Sequence, residues 1–267
     1  MLTIFAENPN CRFDTMTRTM IYAHRGANKE AAENTRTAFD KALAYPIDGI
    51  ETDVQLSRDE IAVLWHDRFL GKLGHHTKHI DDYDYRELRA MNFAAHFSVT
   101  AKPESIMSLR EFLDTYRKRC RLLLEIKNRE WEPTRRHEIK VRQTLDMVGA
   151  IKDGALLVSS FNLDSLIYAH RYRPDFPLVY NFETEQTLAD AQHVLSENPF
   201  LHGLCLPIES LDEAMVKLLR DRGKSIVVYT CNSDDEIIRA LDSDVDILIS
   251  DVPQRALQIR AQKMGEA

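Results

Sequence analysis

The sequence lacks the features that mark secreted, membrane-spanning and nucleic-acid-binding proteins. Its cysteines are widely separated and form no C-x-x-C pair, so neither a zinc site nor a disulfide framework is expected. No apolar run approaches the roughly 20 residues that a membrane span needs, and the short apolar run 2–6 has no cationic residue ahead of it. Lysine and arginine total 35 against 42 acidic residues, which leaves no overall positive field for nucleic acid. We therefore expect a cytoplasmic protein without a nucleic-acid partner or stable membrane insertion.

Glycine and proline are also scarce, with nine of each in 267 residues. At 44% hydrophobic and 29% charged residues, the composition is that of an ordinary folded domain. A chain of this length fits one α/β barrel or two smaller domains. Residues 1–19 precede the first predicted strand, and we interpret them as an N-terminal tail with no assigned function.

From residue 20 onward, short aliphatic runs alternate with amphipathic segments, which is typical of repeated βα units. The pattern predicts eight strands, at residues 20–23, 49–54, 122–126, 156–160, 178–181, 203–206, 225–229 and 247–249. It also predicts eight helices, at residues 34–44, 109–119, 137–151, 163–172, 187–196, 211–222, 234–241 and 254–262. Eight of each indicate a (β/α)8 TIM barrel over residues 20–267. A doubly wound open sheet is the competing fold, but no G-x-G-x-x-G follows the first strand.

A strand-like run at residues 61–65 interrupts the alternation after the second strand. The short polar gap between the two strands predicts a hairpin. With the turn centred on that gap, Glu51 lies opposite His66 and Asp53 lies opposite Leu64. Because side chains alternate along a strand, Glu51, Asp53 and His66 are expected on one face.

Residues 68–105 form a second interruption, polar and too long for an ordinary βα loop. We expect a small insertion that caps the barrel mouth.

Three carboxylates, Glu51, Asp53 and Glu125, lie at the carboxyl ends of predicted strands, where TIM barrels place their active sites. Buried carboxylates need partners, and three that converge offer hard oxygen ligands suited to Mg²⁺ or Ca²⁺. The alternative is ion pairing with Arg25 and Lys127, which alone would account for any single carboxylate.

Two histidines, His24 and His66, lie at strand ends beside these carboxylates. Imidazole is the side chain best suited to proton transfer near neutral pH, so the two form a candidate acid and base pair. The alternative for each is a partly buried, hydrogen-bonded structural histidine. The other eight histidines do not lie at predicted strand ends beside these carboxylates, and we expect them at the surface.

Arg25 and Lys127 bring positive charge to the same end of the barrel in an acidic protein. They are candidate phosphate-binding residues, and they also balance the three carboxylates. Phe161 and Tyr229 end two later strands and are candidate walls for the alcohol part of a substrate, although core packing is the stronger explanation for Phe161.

Several segments together resemble the glycerophosphodiester phosphodiesterases: HRGANKEAAENTRTAF, GIETDVQLSRDEIAVLWHD, LLLEIKN, LVSSFN, VVYTCN and DILISDVP, in that order. This family is similar to the phosphatidylinositol-phospholipase-C-like barrels. The resemblance implies hydrolysis of a small-molecule glycerophosphodiester to sn-glycerol 3-phosphate and an alcohol, with a divalent cation. It assigns the metal to Glu51, Asp53 and Glu125, acid–base catalysis to the histidine pair and phosphate contacts to the two cations.

The sequence departs from the family pattern at several places. Ala32 replaces the usual Pro before ENT, and Tyr229 replaces a common Trp. Residues 72–79 do not match the usual R-T-T run, and Met107, Ser108 and Arg110 replace most of the I-P-T-L-E-E element. These changes put the alcohol moiety in question more than the reaction.

For the mechanism we expect Arg25 and a metal to polarise the phosphoryl oxygens, with His66 as base and His24 as acid. Either water or the glycerol 2-hydroxyl can attack, and the sequence leaves both routes and the oligomeric state open.

Two other functions stay open. A lysophospholipase D-type enzyme would need an apolar cap, for which Phe93, Phe97 and Met91 offer a small patch. A catalytically silent phosphoester-binding protein would tolerate the loss of an ionisable group, yet each expected one is present.

Overall fold

The computed structural model describes residues 19–98, 100–128, 132–150 and 155–265. Most of the predicted N-terminal tail and the end of the predicted helix 137–151 lie outside these residues. The described chain contains nine β-strands: β1 Met20–His24, β2 Gly49–Leu56, β3 Ala62–Leu64, β4 Arg121–Ile126, β5 Leu156–Ser160, β6 Leu178–Asn181, β7 Gly203–Pro207, β8 Ser225–Tyr229 and β9 Ile247–Ser250.

Eight of these strands are parallel neighbours in a closed sheet, in the order β1-β2-β4-β5-β6-β7-β8-β9. The last strand returns to the first, with Met20 paired to Ile247 and Ala23 paired to Ser250. The predicted TIM barrel is confirmed, and each predicted strand lies within two residues of an observed one.

Helices connect the strands: α1 Arg36–Ala42, α2 Tyr85–Arg89, α3 Leu109–Tyr116, α4 Thr134–Val148, α5 Leu163–Tyr172, α6 Leu188–Glu197, α7 Glu213–Asp221, α8 Asp234–Asp242 and α9 Pro253–Met264. Several begin at a side-chain cap that binds the free backbone N–H groups of the first turn, as Ser108 does for α3 and Ser233 for α8. Among the described residues, no helix combines the length and apolar character needed to cross a bilayer.

The barrel interior is filled at its lower end by an apolar plug. It consists of Tyr22, Leu123, Leu157, Val179, Cys205, Val227, Ile247 and Ile249. Gly49 makes room for this plug, since a Cβ there would lie 2.5 Å from the Tyr22 ring. The inward-facing residues beyond the plug therefore form the floor of an open mouth.

The hairpin of β2 and β3 is antiparallel as predicted, but the predicted register is wrong by one residue. Val54, not Asp53, pairs with Leu64. The connection holds an extra residue because Glu60 takes a left-handed conformation (φ 60°) and Ser57 closes the loop onto Ile61. The position of His66 therefore cannot be obtained by counting opposite residue pairs along a regular hairpin.

Residues 68–98 and 100–105 lie between the hairpin and α3 and contain α2 and two short 3₁₀ turns, Gly71–Leu73 and Ile80–Asp82. They pack on an apolar cluster of their own, made of Val63, Trp65, Leu70, Ile80, Leu88, Phe93 and Ile106. This segment is therefore a small folded insertion beside the barrel.

Candidate active site

Polar residues form a ring directly above the apolar plug. Side chains two apart on a strand share a face, so the residue two positions beyond each plug residue also points inward. This relationship brings together the following side chains: His24, Glu125, Ser159, Asn181, Tyr229 and Asp251. Glu51 and Asp53 join them from β2, because Asp53 pairs in register with Glu125.

The acidic centre consists of Glu51, Asp53 and Glu125. One carboxylate oxygen from each lies within 4.8 Å of the others, and all three residues are buried. Burial and repulsion from Asp53 raise the pKa of Glu51 well above its ordinary range. Burial opposes ionisation of Asp53 too, but Arg25, His66 and Lys127 hold the pKa of that carboxyl below its ordinary range.

This centre has the properties of a divalent cation site. The Oδ1 atom of Asp53 is buried and accepts no hydrogen bond from the described residues, although Lys127 Nζ lies 3.5 Å from it. Three carboxylates at this spacing are within reach of a shared Mg²⁺ or Ca²⁺, whose metal–oxygen distances are about 2.0–2.6 Å. A bound cation would also relieve the repulsion that raises the pKa of Glu51.

Residues in the turn after β1 make a second set of contacts with the acidic centre. Arg25 and Asn34 both take left-handed backbone conformations, with φ of 58° and 57°. The Arg25 Nε lies 3.2 Å from Asp53, and the Asn34 amide donates to the same carboxylate at 2.9 Å. Gly26 is needed between them, since a Cβ there would lie 2.7 Å from the Ala38 backbone.

Lys127 follows β4 and is buried at the same place. Its Nζ lies 2.6 Å from Glu125 and 3.5 Å from Asp53, and 5.7 Å from the centre of the Phe161 ring. Two fixed positive charges, on Lys127 and Arg25, therefore lie against three carboxylates.

His24 is held by a carboxylate from the far end of the chain. Its Nδ1 lies 2.6 Å from Asp251, which leaves Nε2 directed at the mouth, 3.9 Å from Glu51. Burial, and then the charge of Arg25, lower the pKa of His24. Burial opposes ionisation of Asp251, but the hydrogen bond and charge of His24 hold the pKa of that carboxyl below its ordinary range.

His66 has a matching arrangement, with its Nδ1 2.8 Å from Asp67. Asp67 also binds Lys72 of the insertion at 3.0 Å, and Lys72 binds Glu33 at 2.8 Å. Despite its burial, the hydrogen bonds from His66 and Lys72 lower the pKa of Asp67 to about 2.

The segment that carries His66 is fixed by Gln55, whose side-chain amide donates to the carbonyls of Trp65 at 2.6 Å and Asp67 at 3.1 Å. This contact adds to the backbone hydrogen bond that Trp65 N–H donates to the Asp53 carbonyl at 3.3 Å, and together they bring His66 to the mouth.

The remaining wall is aromatic. Phe161 and Tyr229 pack edge to face with ring centres 6.0 Å apart. The Tyr229 hydroxyl donates to the carbonyl of Phe182, so its ring rather than its hydroxyl faces the cavity.

One cavity of about 150 Å³ joins these groups. Seven of the nine predicted site residues line it: His24, Arg25, Glu51, His66, Glu125, Phe161 and Tyr229. The other two, Asp53 and Lys127, lie against the acidic centre. The structure thus brings all nine together around one cavity.

Comparison with known proteins decides the family. The model of the Glycerophosphoryl diester phosphodiesterase family matches residues 24–255. The chain belongs to this family. The predicted family and the predicted enzyme class, a glycerophosphodiester phosphodiesterase, are confirmed.

Two curated relatives named glycerophosphodiester phosphodiesterase match over most of their length. The relative from Bacillus altitudinis is 29% identical over 255 residues, which is 91% of this chain and 99% of that protein. The relative from Bacillus subtilis is 25% identical over 247 residues, which is 88% of this chain and 84% of that protein.

Solved structures of the family share the fold. A phosphodiesterase of Oleispira antarctica in complex with the product sn-glycerol-3-phosphate has a TM-score of 0.78 at 24% identity, over 90% of this chain and 96% of that one. A glycerophosphodiester phosphodiesterase of Parabacteroides distasonis has a TM-score of 0.75 at 22% identity, over 93% and 99%. Identities this low establish the common fold alone.

Several residues of this site carry no predicted role in the sequence: Glu33, Asn34, Gln55, Asp67, Lys72 and Asp251. Glu33 and Asn34 belong to the ENT motif and Asp67 to the HD motif, so motif membership was the available signal. For Asp251 the signal was its position at the end of the last strand, which barrel closure brings beside His24.

Proposed function

We propose that the protein hydrolyses glycerophosphodiesters to sn-glycerol 3-phosphate and an alcohol, by acid–base catalysis with His24 and His66 beside a divalent metal. The observation that carries this proposal is the placement of two histidines, each with a carboxylate at Nδ1, around one cavity with three clustered carboxylates. Family membership supports the class of substrate.

Glu51, Asp53 and Glu125 would hold the cation, and their oxygen-only ligands suit Mg²⁺ or Ca²⁺. When bound, the cation supplies positive charge that polarises the phosphoryl oxygens. Arg25 and Lys127 add fixed positive charge at the same place, which offsets the charge of a phosphodiester and of the more negative transition state.

The carboxylates at Nδ1 fix the orientation of both imidazoles. Each Nδ1–H donates to its carboxylate, and we assign to each Nε2 the exchange of a proton with the substrate. Burial and the charge of Arg25 lower the pKa of His24, so this imidazole is neutral at physiological pH, which suits a base. This favours His24 as base and His66 as acid, the reverse of the sequence-based assignment.

In the reaction, His24 Nε2 takes the proton of the attacking oxygen while that oxygen bonds to phosphorus. The bond from phosphorus to the alcohol oxygen breaks, and His66 donates a proton to that oxygen. The same proton transfers serve water or the glycerol 2-hydroxyl as attacker. A cyclic phosphate formed by the hydroxyl would then be opened by water, with the two histidines exchanging roles.

The insertion is proposed to cap the mouth through Lys72, which contacts Glu33 and Asp67 beside His66. Of its two phenylalanines in the apolar patch, Phe93 is buried and Phe97 is 37% exposed, and one exposed ring is too little apolar surface for an acyl chain. A lysophospholipid substrate is therefore disfavoured. The expected cytoplasmic location stays a prediction.

The test is turnover by the purified protein of glycerophosphocholine, glycerophosphoethanolamine and lysophosphatidylcholine, with Mg²⁺ and Ca²⁺ in separate reactions. We expect sn-glycerol 3-phosphate from the first two substrates, and loss of turnover on chelation. His24→Ala and Glu51→Gln are each expected to lower kcat by about a hundredfold or more. His193→Ala, at an exposed position on α6, is the matched control. Unchanged turnover in either His24→Ala or Glu51→Gln would contradict the role assigned to that residue.

A further inference from the structure

Lys140 is a buried charge that the proposed mechanism does not use. Among the described residues, only two charged side chains have a relative exposure of 0%, those of Asp53 and Lys140. Asp53 belongs to the acidic centre, whereas Lys140 lies on α4 and does not line the cavity. An ammonium in the protein interior is costly unless it is paired and hydrogen-bonded, so its contacts indicate what holds it there.

The contacts of Lys140 lead to the acidic centre in one step. Its Nζ donates to the carbonyl oxygen of Lys127 at 2.5 Å and to the two carboxylate oxygens of Glu132 at 3.1 and 3.0 Å. Glu132 supplies the compensating negative charge, and its side chain is only 7% exposed. Lys127 is the residue whose ammonium lies 2.6 Å from Glu125. A buried ion pair is therefore bonded directly to the backbone of a residue of the site.

Lys127 needs support of this kind because it lies just beyond the end of β4. The registers of β4 with both of its neighbouring strands end before Lys127. The backbone N–H of Lys127 still donates to the carbonyl of Val54 on β2, at 3.0 Å. For the Lys127 carbonyl, the Lys140 ammonium takes the place that a backbone N–H has in a regular ladder. The Lys127 backbone is thus held from β2 on one side and from α4 on the other.

The ion pair is itself anchored to β2. Glu132 lies 3.6 Å from the Nε atom of Arg136, which also belongs to α4. The Nη2 atom of Arg136 donates to the carbonyls of Leu56 and Ser57, at 2.9 and 2.7 Å, where β2 ends. One ionic network therefore joins α4, the segment after β4 and the strand that carries two of the three carboxylates.

We propose that Lys140 is a positioning residue, which holds the backbone of Lys127 and so keeps the Lys127 ammonium against the acidic centre and the substrate phosphate. This inference rests on the proposed function, which assigns phosphate contact to Lys127, and extends it to a residue outside the cavity. A lysine side chain is flexible, so its charge is placed accurately only where its backbone is fixed. A displacement of about 1 Å in a catalytic group can lower a rate by about a hundredfold.

A purely structural ion pair would behave differently when variants are combined. If Lys140 acts through Lys127, its loss has nothing further to remove once the Lys127 ammonium is absent, so the two losses of affinity do not add. If the pair only supports the fold, its loss has the same effect whether or not Lys127 is present.

The experiment is a double-variant cycle, measured as calorimetric binding of sn-glycerol 3-phosphate to the protein with saturating Mg²⁺. Lys140 is removed as Lys140→Met/Glu132→Gln, because Lys140→Met alone would leave an unpaired buried carboxylate. We expect this variant to weaken binding by about tenfold and Lys127→Met to weaken it at least as much. All three substitutions together are expected to leave the affinity within about twofold of that of Lys127→Met. Lys217→Met/Asp221→Asn removes an exposed ion pair on α7 and is the matched control, expected to bind as the wild type does.

The stoichiometry of binding and thermal unfolding separate folding from affinity. The stoichiometry counts the folded, binding-competent molecules, so the affinity refers to these even where a variant is less stable. Wild-type affinity in Lys140→Met/Glu132→Gln overturns the proposal, as does the absence of binding by the wild type. A tenfold loss that persists in the Lys127→Met background also overturns it, because Lys140 would then act independently of Lys127. Because binding needs no turnover, non-additive losses in a protein that hydrolyses no glycerophosphodiester would support the positioning role and reject the proposed function.

Discussion

His24 Nδ1 and the Asp251 carboxylate lie 2.6 Å apart although 227 positions separate them in the sequence. Closure of the barrel brings them together, since β1 pairs with β9. The carboxylate orients the imidazole and stabilises its protonated form, so Asp251 acts through His24.

Asp251→Asn is therefore expected to lower kcat by about a hundredfold or more, with little change in KM. An asparagine keeps the size of the side chain but can stabilise the wrong imidazole tautomer. The measurement is steady-state turnover of glycerophosphocholine, with the exposed Asp235→Asn as the matched control. A wild-type kcat in Asp251→Asn would show that Asp251 has no role in the mechanism.

The pH dependence of kcat/KM follows from the pKa of His24. Burial and Arg25 lower this pKa, so the neutral form that acts as base persists to lower pH than for an ordinary histidine. We expect the acid limb of the profile at a pH below the ordinary histidine pKa. In Asp251→Asn the limb is expected to move lower still, because the carboxylate that favours the charged imidazole is gone. An acid limb above the ordinary histidine pKa would indicate that a residue other than His24 acts as the base.

Metal removal is expected to expose a contribution of Glu51 to the pH dependence of stability. The pKa of Glu51 is raised in the folded protein, so between the ordinary glutamate pKa and the raised value the folded state binds more protons than the unfolded state. In the chelated protein Glu51 therefore contributes an unfolding free energy that decreases with pH across that window, whereas His24, whose pKa is lowered, contributes the opposite sign below the ordinary histidine pKa. Saturating Mg²⁺ or Ca²⁺ is expected to raise Tm by several degrees.

Glu51→Gln tests this linkage directly. It removes the titrating group, so the chelated variant is expected to lose the Glu51 contribution, with a Tm that falls less or rises more with pH than that of the chelated wild type, and to respond less to metal. Scanning calorimetry at several pH values is the measurement. The same dependence of Tm on pH in the chelated wild type and in chelated Glu51→Gln would contradict the account.

Lys72 is expected to position His66 through Asp67. Lys72→Met removes the cation between Glu33 and Asp67, and we expect kcat to fall by about tenfold with KM nearly unchanged. Lys72→Arg keeps the charge and is expected to recover most of the activity. The exposed Lys78→Met is the control, and equal loss in Lys72→Arg and Lys72→Met would indicate a packing role instead.

Much of the fold was predictable because each barrel strand is a short apolar run bounded by polar residues. The ionisable groups at strand ends were predictable for a related reason, since a buried carboxylate in a strand such as β4 needs an explanation. Glu51, Asp53 and Glu125 thus stood out before their spatial arrangement was known.

The contacts that orient these groups were not predictable from local pattern. The hairpin register depends on the left-handed backbone of Glu60, which no sequence signal marks there. The position of His66 depends on hydrogen bonds from Gln55, and that of His24 depends on Asp251. Such partners follow only from three-dimensional closure.

The most direct test of the central claim is a ³¹P NMR time course of glycerophosphocholine with the metal-loaded protein. The account predicts loss of the diester signal and growth of sn-glycerol 3-phosphate, with release of free choline, and neither change in the presence of a chelator. Formation of phosphocholine and glycerol, or no change in the diester signal with either Mg²⁺ or Ca²⁺, would contradict it.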